Sequence, residues 1–373
     1  MDRALDKLRD PDLAARLADR VRGMAARAAE RLGRPVVIME ICGTHTTAIS
    51  RTGLRGLVAG SLILLSGPGC PVCVTGAADI ERMISLARIP GVSVATFGDM
   101  IRVPGVHSSL EEERARGADV RLIYSPADAV RLAEVLSERE VVFLGAGFET
   151  TAPLTALALA AAVDRRLKNF SVYSVHKLVP PALRALLAGG EIAVDGLLLP
   201  GHVCSITGRA AFDFVAVDYG IPAVVAGFEP LDILGSWYLL LEMILAGRPA
   251  VVNGYTRVVS EDGNPKARQA LFGQFTIDEA LWRGLGSIPG SGLFLKRAVA
   301  DFDARRRFPF PDPPAGEKPG GCRCGDLLKG KITPRECPLY AGPCTPARPA
   351  GPCMVSSEGA CAAYYHYERA GNY

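Results

Sequence analysis

The segment SGPGCPVCVTG, residues 66–76, sets Cys70 and Cys73 around a proline and a valine, directly after the apolar run SLILL. Two thiols at that spacing can cycle between dithiol and disulfide or supply half of a metal site; two packed cysteines are the plainer alternative. The stretch that follows, VTGAADIERMISLAR, has helical spacing, and a helix N-terminus favours a thiolate. A redox pair is the reading these residues favour. Upstream, ICGTHTTA places Cys42 three residues before His45 on a turn entering a second helix. A thiolate there can bind a soft metal, with the imidazole as acid, base or orienting partner; a structural Cys and His is the alternative.

The other large group of thiols is C-terminal: Cys322, Cys324, Cys337, Cys344, Cys353 and Cys361, separated by one, twelve, six, eight and seven residues. A structural zinc ribbon needs two closely paired knuckles, and this spacing has none. Thiolates spread among Pro334, Pro338, Pro343, Pro346, Pro349 and Pro352 suit an iron–sulfur cluster held by irregular loops. Zinc and unmetallated thiols remain the alternatives.

GAGFETTAP invites a dinucleotide reading, because Gly145 and Gly147 follow an apolar run. Thr150, however, stands where the third glycine belongs, and Glu149 would face the phosphate. Nucleotide binding is therefore rejected here. Glu149 is a candidate site residue, or simply a carboxylate favoured at a helix start. His176 and His202 also follow apolar runs and can reach a shared cleft, whereas His107 and His366 read as surface residues.

The elements that must position these groups alternate. Short β-branched runs (PVVIMEICG, SLILLSGPG, VSVATFGD, EVVFLGAG, FSVYSVHK, GLLLPGH, PAVVAGFEP) end in glycine turns and lead into helix-like segments. Continuous apolar strands between helices predict parallel sheet covered on both faces, an α/β architecture. Ligands bind such sheets at the carboxyl ends of the strands, where Cys42, His45, Cys70, Cys73, Glu149 and His202 all fall. The chain also reads as a degenerate repeat: Gly-x-x-Thr-Thr-Ala at 43–48 and 147–152, and a Pro-Gly to Thr-Gly segment at 68–76 and 200–208. The expected division is N-terminal helices over 1–33, packed with the C-terminal domain. Two similar parallel-sheet α/β domains follow over 34–125 and 126–228. A cysteine-rich, mostly helical or irregular domain over 229–373 is reached through the proline-rich linker 307–321.

Composition narrows the function. The 373 residues are 49% hydrophobic and 22% charged with a net charge of +3, so a buried core is affordable. The longest basic run is Arg305–Arg307, which gives nucleic acid no footing. No apolar stretch is long enough to span a membrane, and the charged N-terminus lacks the apolar core of a signal peptide. A cytoplasmic protein is expected. Its ten cysteines then point to metal or catalytic roles more than to a secreted disulfide framework.

Taken together and in order, CGTHT, GPGCPVCVTG, GFETTAP, PGHVC and the tail GCRCGDLLKG…ECPLY…CTP…PCMVSSEGACAAYY resemble the hydrogenase maturation factor HypD family over nearly the whole chain. The resemblance implies two similar α/β domains plus a domain carrying a [4Fe-4S] cluster. It implies a metallochaperone role: with a small HypC-type chaperone, a scaffold on which the Fe(CN)2CO unit of [NiFe]-hydrogenases is assembled, cyanide coming from a HypE-type donor supplied through HypF. Carried onto this sequence, Cys42 would bind the iron together with a cysteine of the partner. Cys70 and Cys73 would be the redox relay, and His45 and Glu149 would line the cleft. Cys337, Cys344, Cys361 and one of Cys322 or Cys324 would hold the cluster, the other of that pair being free to join the relay. Cys353 and Cys204 are left as small buried residues. Whether such a chain catalyses a step or only holds the iron stays open. The rival functions are an iron–sulfur disulfide reductase, which has no use for Cys42-Gly-Thr-His45, and a zinc-stabilised interaction protein.

Overall fold

Val, Ile and Leu dominate nine short strands, each of which pairs in parallel: β1 (Val36–Glu40), β2 (Leu62–Ser66), β3 (Val92–Thr96), β4 (Asp119–Leu122), β5 (Glu140–Gly145), β6 (Phe170–Ser174), β7 (Gly196–Pro200), β8 (Ala223–Ala226) and β9 (Val251–Asn253). The computed structural model describes residues 8–190, 192–310 and 321–368. The strands form two sheets, ordered β2-β1-β7-β8-β9 and β4-β3-β5-β6. Strands β3, β6, β7 and β8 are buried along their whole length, as expected of parallel sheet with helices on both faces.

The α/β class and the separate cysteine-rich region agree with the sequence reading; the chain-contiguous halves do not. The chain leaves the five-stranded sheet after β2, builds all of the four-stranded sheet, and returns with β7, which pairs with β1 (Ile38 beside Gly196). The boundary expected at 125/126 thus falls inside the smaller sheet. The Pro-Gly segments at 68–76 and 200–208, read as equivalents in different halves, close two strands of the same sheet. Local similarity reports the strand-to-helix turn, whereas sheet membership depends on distant pairing partners.

The N-terminal helix, Pro11–Leu32, starts on Asp10, whose side chain accepts from the Asp12 and Leu13 amides, and stops at Gly33 in the left-handed region (φ 68°). That start and stop satisfy end groups the helix cannot pair internally. Its buried stripe, Ala14, Ala18, Val21, Ala25 and Ala28, packs on the helix Pro230–Ala246 through Trp237, Leu240 and Leu241. Small side chains let the two helices approach closely. Together they cover one face of the five-stranded sheet, so residues 230–253 belong to that sheet's layer and not to the cysteine-rich tail.

Past this layer, β10 (Phe275–Trp282) and β11 (Gly286–Leu295) form an antiparallel hairpin. It clips onto the ends of both sheets: Arg283 N–H donates to Val74 O at 2.9 Å, and Lys177 bridges Gly292. The tail then folds back on the first sheet. Helix Ala360–Tyr367 packs on helix Gly43–Arg51. Ser50 and Arg55 both donate to the buried Glu368 carboxylate, at 2.6 and 3.1 Å, and the Arg55 guanidinium lies 4.7 Å over the Tyr364 ring.

Candidate functional site

Cys42 lies two residues past the end of β1 and caps helix Gly43–Arg51 with its backbone; its thiol makes no capping bond. Gly69, on the turn after β2, lies directly against it. Gly43 N–H donates to Gly69 O at 3.1 Å, and a Cβ on Gly69 would overlap the Cys42 backbone. The CGTH and GPGCPVC turns are therefore one structure. Beside them Cys70 and Cys73 are joined as a disulfide, with Cys73 N–H donating to Cys70 Sγ. Both are buried in the largest core cluster.

The third wall comes from the tail. Asp99, after β3, accepts from Ser356 Oγ, Ser357 N–H and Ser357 Oγ at 2.9–3.1 Å. That clamp presents Glu358 to Thr44, whose hydroxyl donates to Glu358 Oε1 at 2.8 Å. The result is a cleft of about 410 Å³ whose walls include Cys42, Thr44, Val72, Asp99, Phe148, Thr151, His202 and Glu358. Residues from both sheets and from the tail meet in it.

Two expected lining residues sit beneath the surface instead. His45 is fully buried; its Nε2 faces Gly227 O at 3.0 Å, and its ring stacks on Phe228. Burial lowers its pKa to about 4, so it is neutral, donating from Nε2 and leaving Nδ1 bare, and Nδ1 has no partner among the described residues. Glu149 accepts from Val179 N–H at 2.9 Å while its second oxygen has no partner among the described residues, and burial raises its pKa to about 7. The cleft is lined by its neighbours Phe148, Thr150 and Thr151. His202 does reach the cleft, stacking on the opposite side of the His45–Phe228 pair at 3.9 Å from Phe228. His176 does not, being buried between Ser174 and Thr155. His107 and His366 are exposed, as expected.

Electrostatics decide how Cys42 behaves. Burial, and then the nearby Glu358 carboxylate, push its pKa up to about 11, with the Thr44 hydroxyl pulling the other way. At neutral pH it is a protonated thiol. A bound cation would reverse that balance, because it favours the thiolate that burial disfavours.

The tail thiols also gather. Burial raises the pKa values of Cys322, Cys344 and Cys361, the contact with Cys324 and then burial raise that of Cys353, and the neighbouring tail thiols push each of the four further up. Their sulfurs divide into two kinds of neighbour. Cys324 and Cys353 lie 2.6 Å apart, buried, on helices Cys324–Leu328 and Pro352–Val355, and the second of these packs on helix Pro71–Val74 with the Cys70–Cys73 disulfide. Cys322, Cys344 and Cys361 are within electrostatic reach of Cys324, and Cys337 is within reach of those three; Cys344 Sγ accepts from Ala350 N–H at 3.3 Å. Among the described residues no three His, Cys, Asp or Glu side chains converge to hold a single ion. A four-iron cube spreads its thiolates farther apart than one ion does, and the soft donors and mutual repulsion here fit such a cationic cluster core.

Sequence reasoning missed Glu358, Asp99, Phe228 and the pairing of Cys353. None carries a local signal: Glu358 sits in SSEG between two cysteines, and only the tail's return across the first sheet brings it to Thr44.

The chain matches the family model described as HypD, Hydrogenase formation hypA family, over residues 13–368. It is 45% identical to "Hydrogenase maturation factor HypD" of Azotobacter vinelandii, with 98% of this chain and 97% of that protein covered. Against the protein of the same name from Escherichia coli K12 it is 43% identical, covering 98% of each. "Hydrogenase maturation factor HypD2" of Bradyrhizobium diazoefficiens is 44% identical over 98% of this chain and 96% of its own length.

Proposed function

The chain belongs to the HypD hydrogenase-formation family and is a hydrogenase maturation factor, and on that premise we propose that it is the scaffold on which iron is fitted with cyanide and carbon monoxide. The observation that carries this reading is the position of Cys42: one thiol facing a cleft built from both sheets and the tail and not spent on capping its own helix. The incoming iron is the substrate. Cyanide and carbon monoxide favour low-spin, electron-rich iron, which thiolates provide. Cys42 supplies one thiolate, and the open side of the cleft leaves room for a cysteine of a small HypC-type chaperone and for approach of a HypE-type cyanide donor.

Loading iron requires Cys42 to lose its proton. Glu358 is the nearest carboxylate by its effect on the thiol, and burial raises its own pKa, so it is suited to receive that proton through the Thr44 side of the cleft. Phe228 holds His45 and His202 in one stack, which fixes His202 at the rim without spending a hydrogen bond on it.

Cys322, Cys337, Cys344 and Cys361 would hold a [4Fe-4S] cluster, which supplies single electrons. Cys324 is placed outside that set because its sulfur is engaged with Cys353. The Cys324–Cys353 dithiol is then positioned to exchange with the Cys70–Cys73 disulfide: a thiolate of the first pair attacks a sulfur of the second, a mixed disulfide forms, and its resolution leaves Cys70 and Cys73 as thiols and the first pair oxidised. A disulfide reductase would draw on the same thiols but leaves Cys42 and the cleft without a task. Anaerobic purification followed by iron and sulfide analysis tests the cluster: about four of each per chain is expected, and stoichiometric zinc without sulfide would replace it with the zinc-stabilised alternative.

A further inference from the structure

The thiols of this chain are ordered from outside to inside. Cys322 is exposed and Cys337 half-buried; Cys324 and Cys353 are buried; Cys70 and Cys73 are buried behind them, and Cys42 opens onto the cleft beyond. The outer end carries the charge. Between Cys322 and Ala350 five cations, Arg323, Lys329, Lys331, Arg335 and Arg348, stand against two carboxylates, Asp326 and Glu336. That excess equals the net charge of the whole chain, +3. Arg323, Lys331, Arg335 and Arg348 are exposed. Arg323 shares its charge with Asp326 at 2.9 Å and is felt by Glu336, the neighbour of Cys337, and Cys337 is felt in turn by Cys322, so Arg323 lies with the two solvent-facing thiols; Arg348 lines a groove that Glu111 and Glu112 share.

We infer that this basic face around Cys322 and Cys337 is the docking surface for an acidic, single-electron carrier protein of the ferredoxin or flavodoxin class. The inference rests on the cluster reading above and deepens it by naming the partner's chemistry. Charge complementarity of this kind steers encounter and makes it sensitive to salt. Two carriers give up one electron each; with two protons from solvent these convert the Cys70–Cys73 disulfide into two thiols, and two oxidised carriers leave. The carrier takes this face and the small chaperone takes the Cys42 cleft, so that the two bind at the same time.

The test uses anaerobically purified full-length protein and an acidic plant-type [2Fe–2S] ferredoxin, with binding measured calorimetrically at low and high salt. The variant Lys331→Glu/Arg335→Glu/Arg348→Glu is set beside the equal charge change Arg16→Glu/Arg20→Glu/Arg27→Glu on the exposed side of the N-terminal helix. Because Arg335 also donates to Glu368 O, the double variant Lys331→Glu/Arg348→Glu guards against misfolding. Expected are affinity that falls with salt, at least about tenfold weaker binding in the tail variants, unchanged binding in the helix variant, and no displacement of ferredoxin by excess small chaperone. Equal weakening in both charge variants, or salt-insensitive binding, with iron and sulfide present, overturns the docking surface alone. Displacement by the chaperone overturns the separation of the two faces. Absence of iron and sulfide removes the cluster reading and this inference with it.

Discussion

Thr44 and Glu358, 314 residues apart in the chain, are joined by a 2.8 Å hydrogen bond across the mouth of the Cys42 cleft. The bond ties the first strand-to-helix turn to the last irregular loop before the final helix. The site is therefore complete only when the tail is docked, and the thiol that would take up iron is tuned by a residue from the other end of the protein.

Glu358→Gln removes the charge that helps keep Cys42 protonated while preserving the Thr44 contact. The Cys42 pKa, about 11 in the parent, should fall. Alkylation of the Cys42 peptide, followed by mass spectrometry across pH, should show its midpoint displaced to lower pH. An unchanged profile would mean that Glu358 does not act on the thiol.

Gly69 has no room for a side chain. Gly69→Ala forces a methyl group into the backbone of Cys42, and overpacking of this kind typically costs about 1–3 kcal/mol. The expected outcome is a lowered unfolding temperature together with faster Cys42 alkylation, because the two turns separate. A variant as stable as the parent would show that the close contact is dispensable.

These contacts mark where sequence reading succeeds and where it stops. The strands, their glycine turns and the placement of Cys42, Cys70 and His202 at strand ends are local properties, and each was legible. The interleaving of the sheets was not, because nothing within PGCPVCVTG or PGHVCSITG specifies a pairing partner. Likewise Glu149 and His45 are legible as polar residues on site-forming turns, but whether a turn points its side chain into a cleft or beneath it is set by packing from Val179, Gly227 and Phe228. Cys353 looked like an ordinary small residue because its partner Cys324 lies 29 positions away.

Glu149 gives the fold a pH dependence of known sign. Its pKa is raised to about 7 by burial, so the folded state holds this proton more tightly than the unfolded chain does. Its contribution is intact below the ordinary carboxyl pKa and is lost as pH rises through about 7. Glu149→Gln, which keeps an acceptor for Val179 N–H, should match the parent near pH 5 and exceed it near pH 8 by roughly 1–3 kcal/mol. Calorimetric unfolding at the two pH values checks this; a constant difference would remove Glu149 as the source.

Arg55 and Glu368 hold the final helix against the first sheet. Arg55→Met leaves the buried Glu368 carboxylate with Ser50 as its remaining side-chain donor among the described residues, and breaking a buried pair costs roughly 3–5 kcal/mol, less here because Arg55 is partly exposed. Limited proteolysis should release a C-terminal fragment from the variant before any other cut. Resistance equal to the parent would place the tail's anchorage elsewhere.

The most direct test concerns Cys42 itself. The protein is isolated anaerobically with its small partner from cells making hydrogenase, and infrared bands of iron-bound cyanide and carbon monoxide are recorded alongside the iron–sulfur absorption spectrum. The account predicts that Cys42→Ser loses the infrared bands and keeps the iron–sulfur spectrum; bands of parental intensity in Cys42→Ser would contradict it.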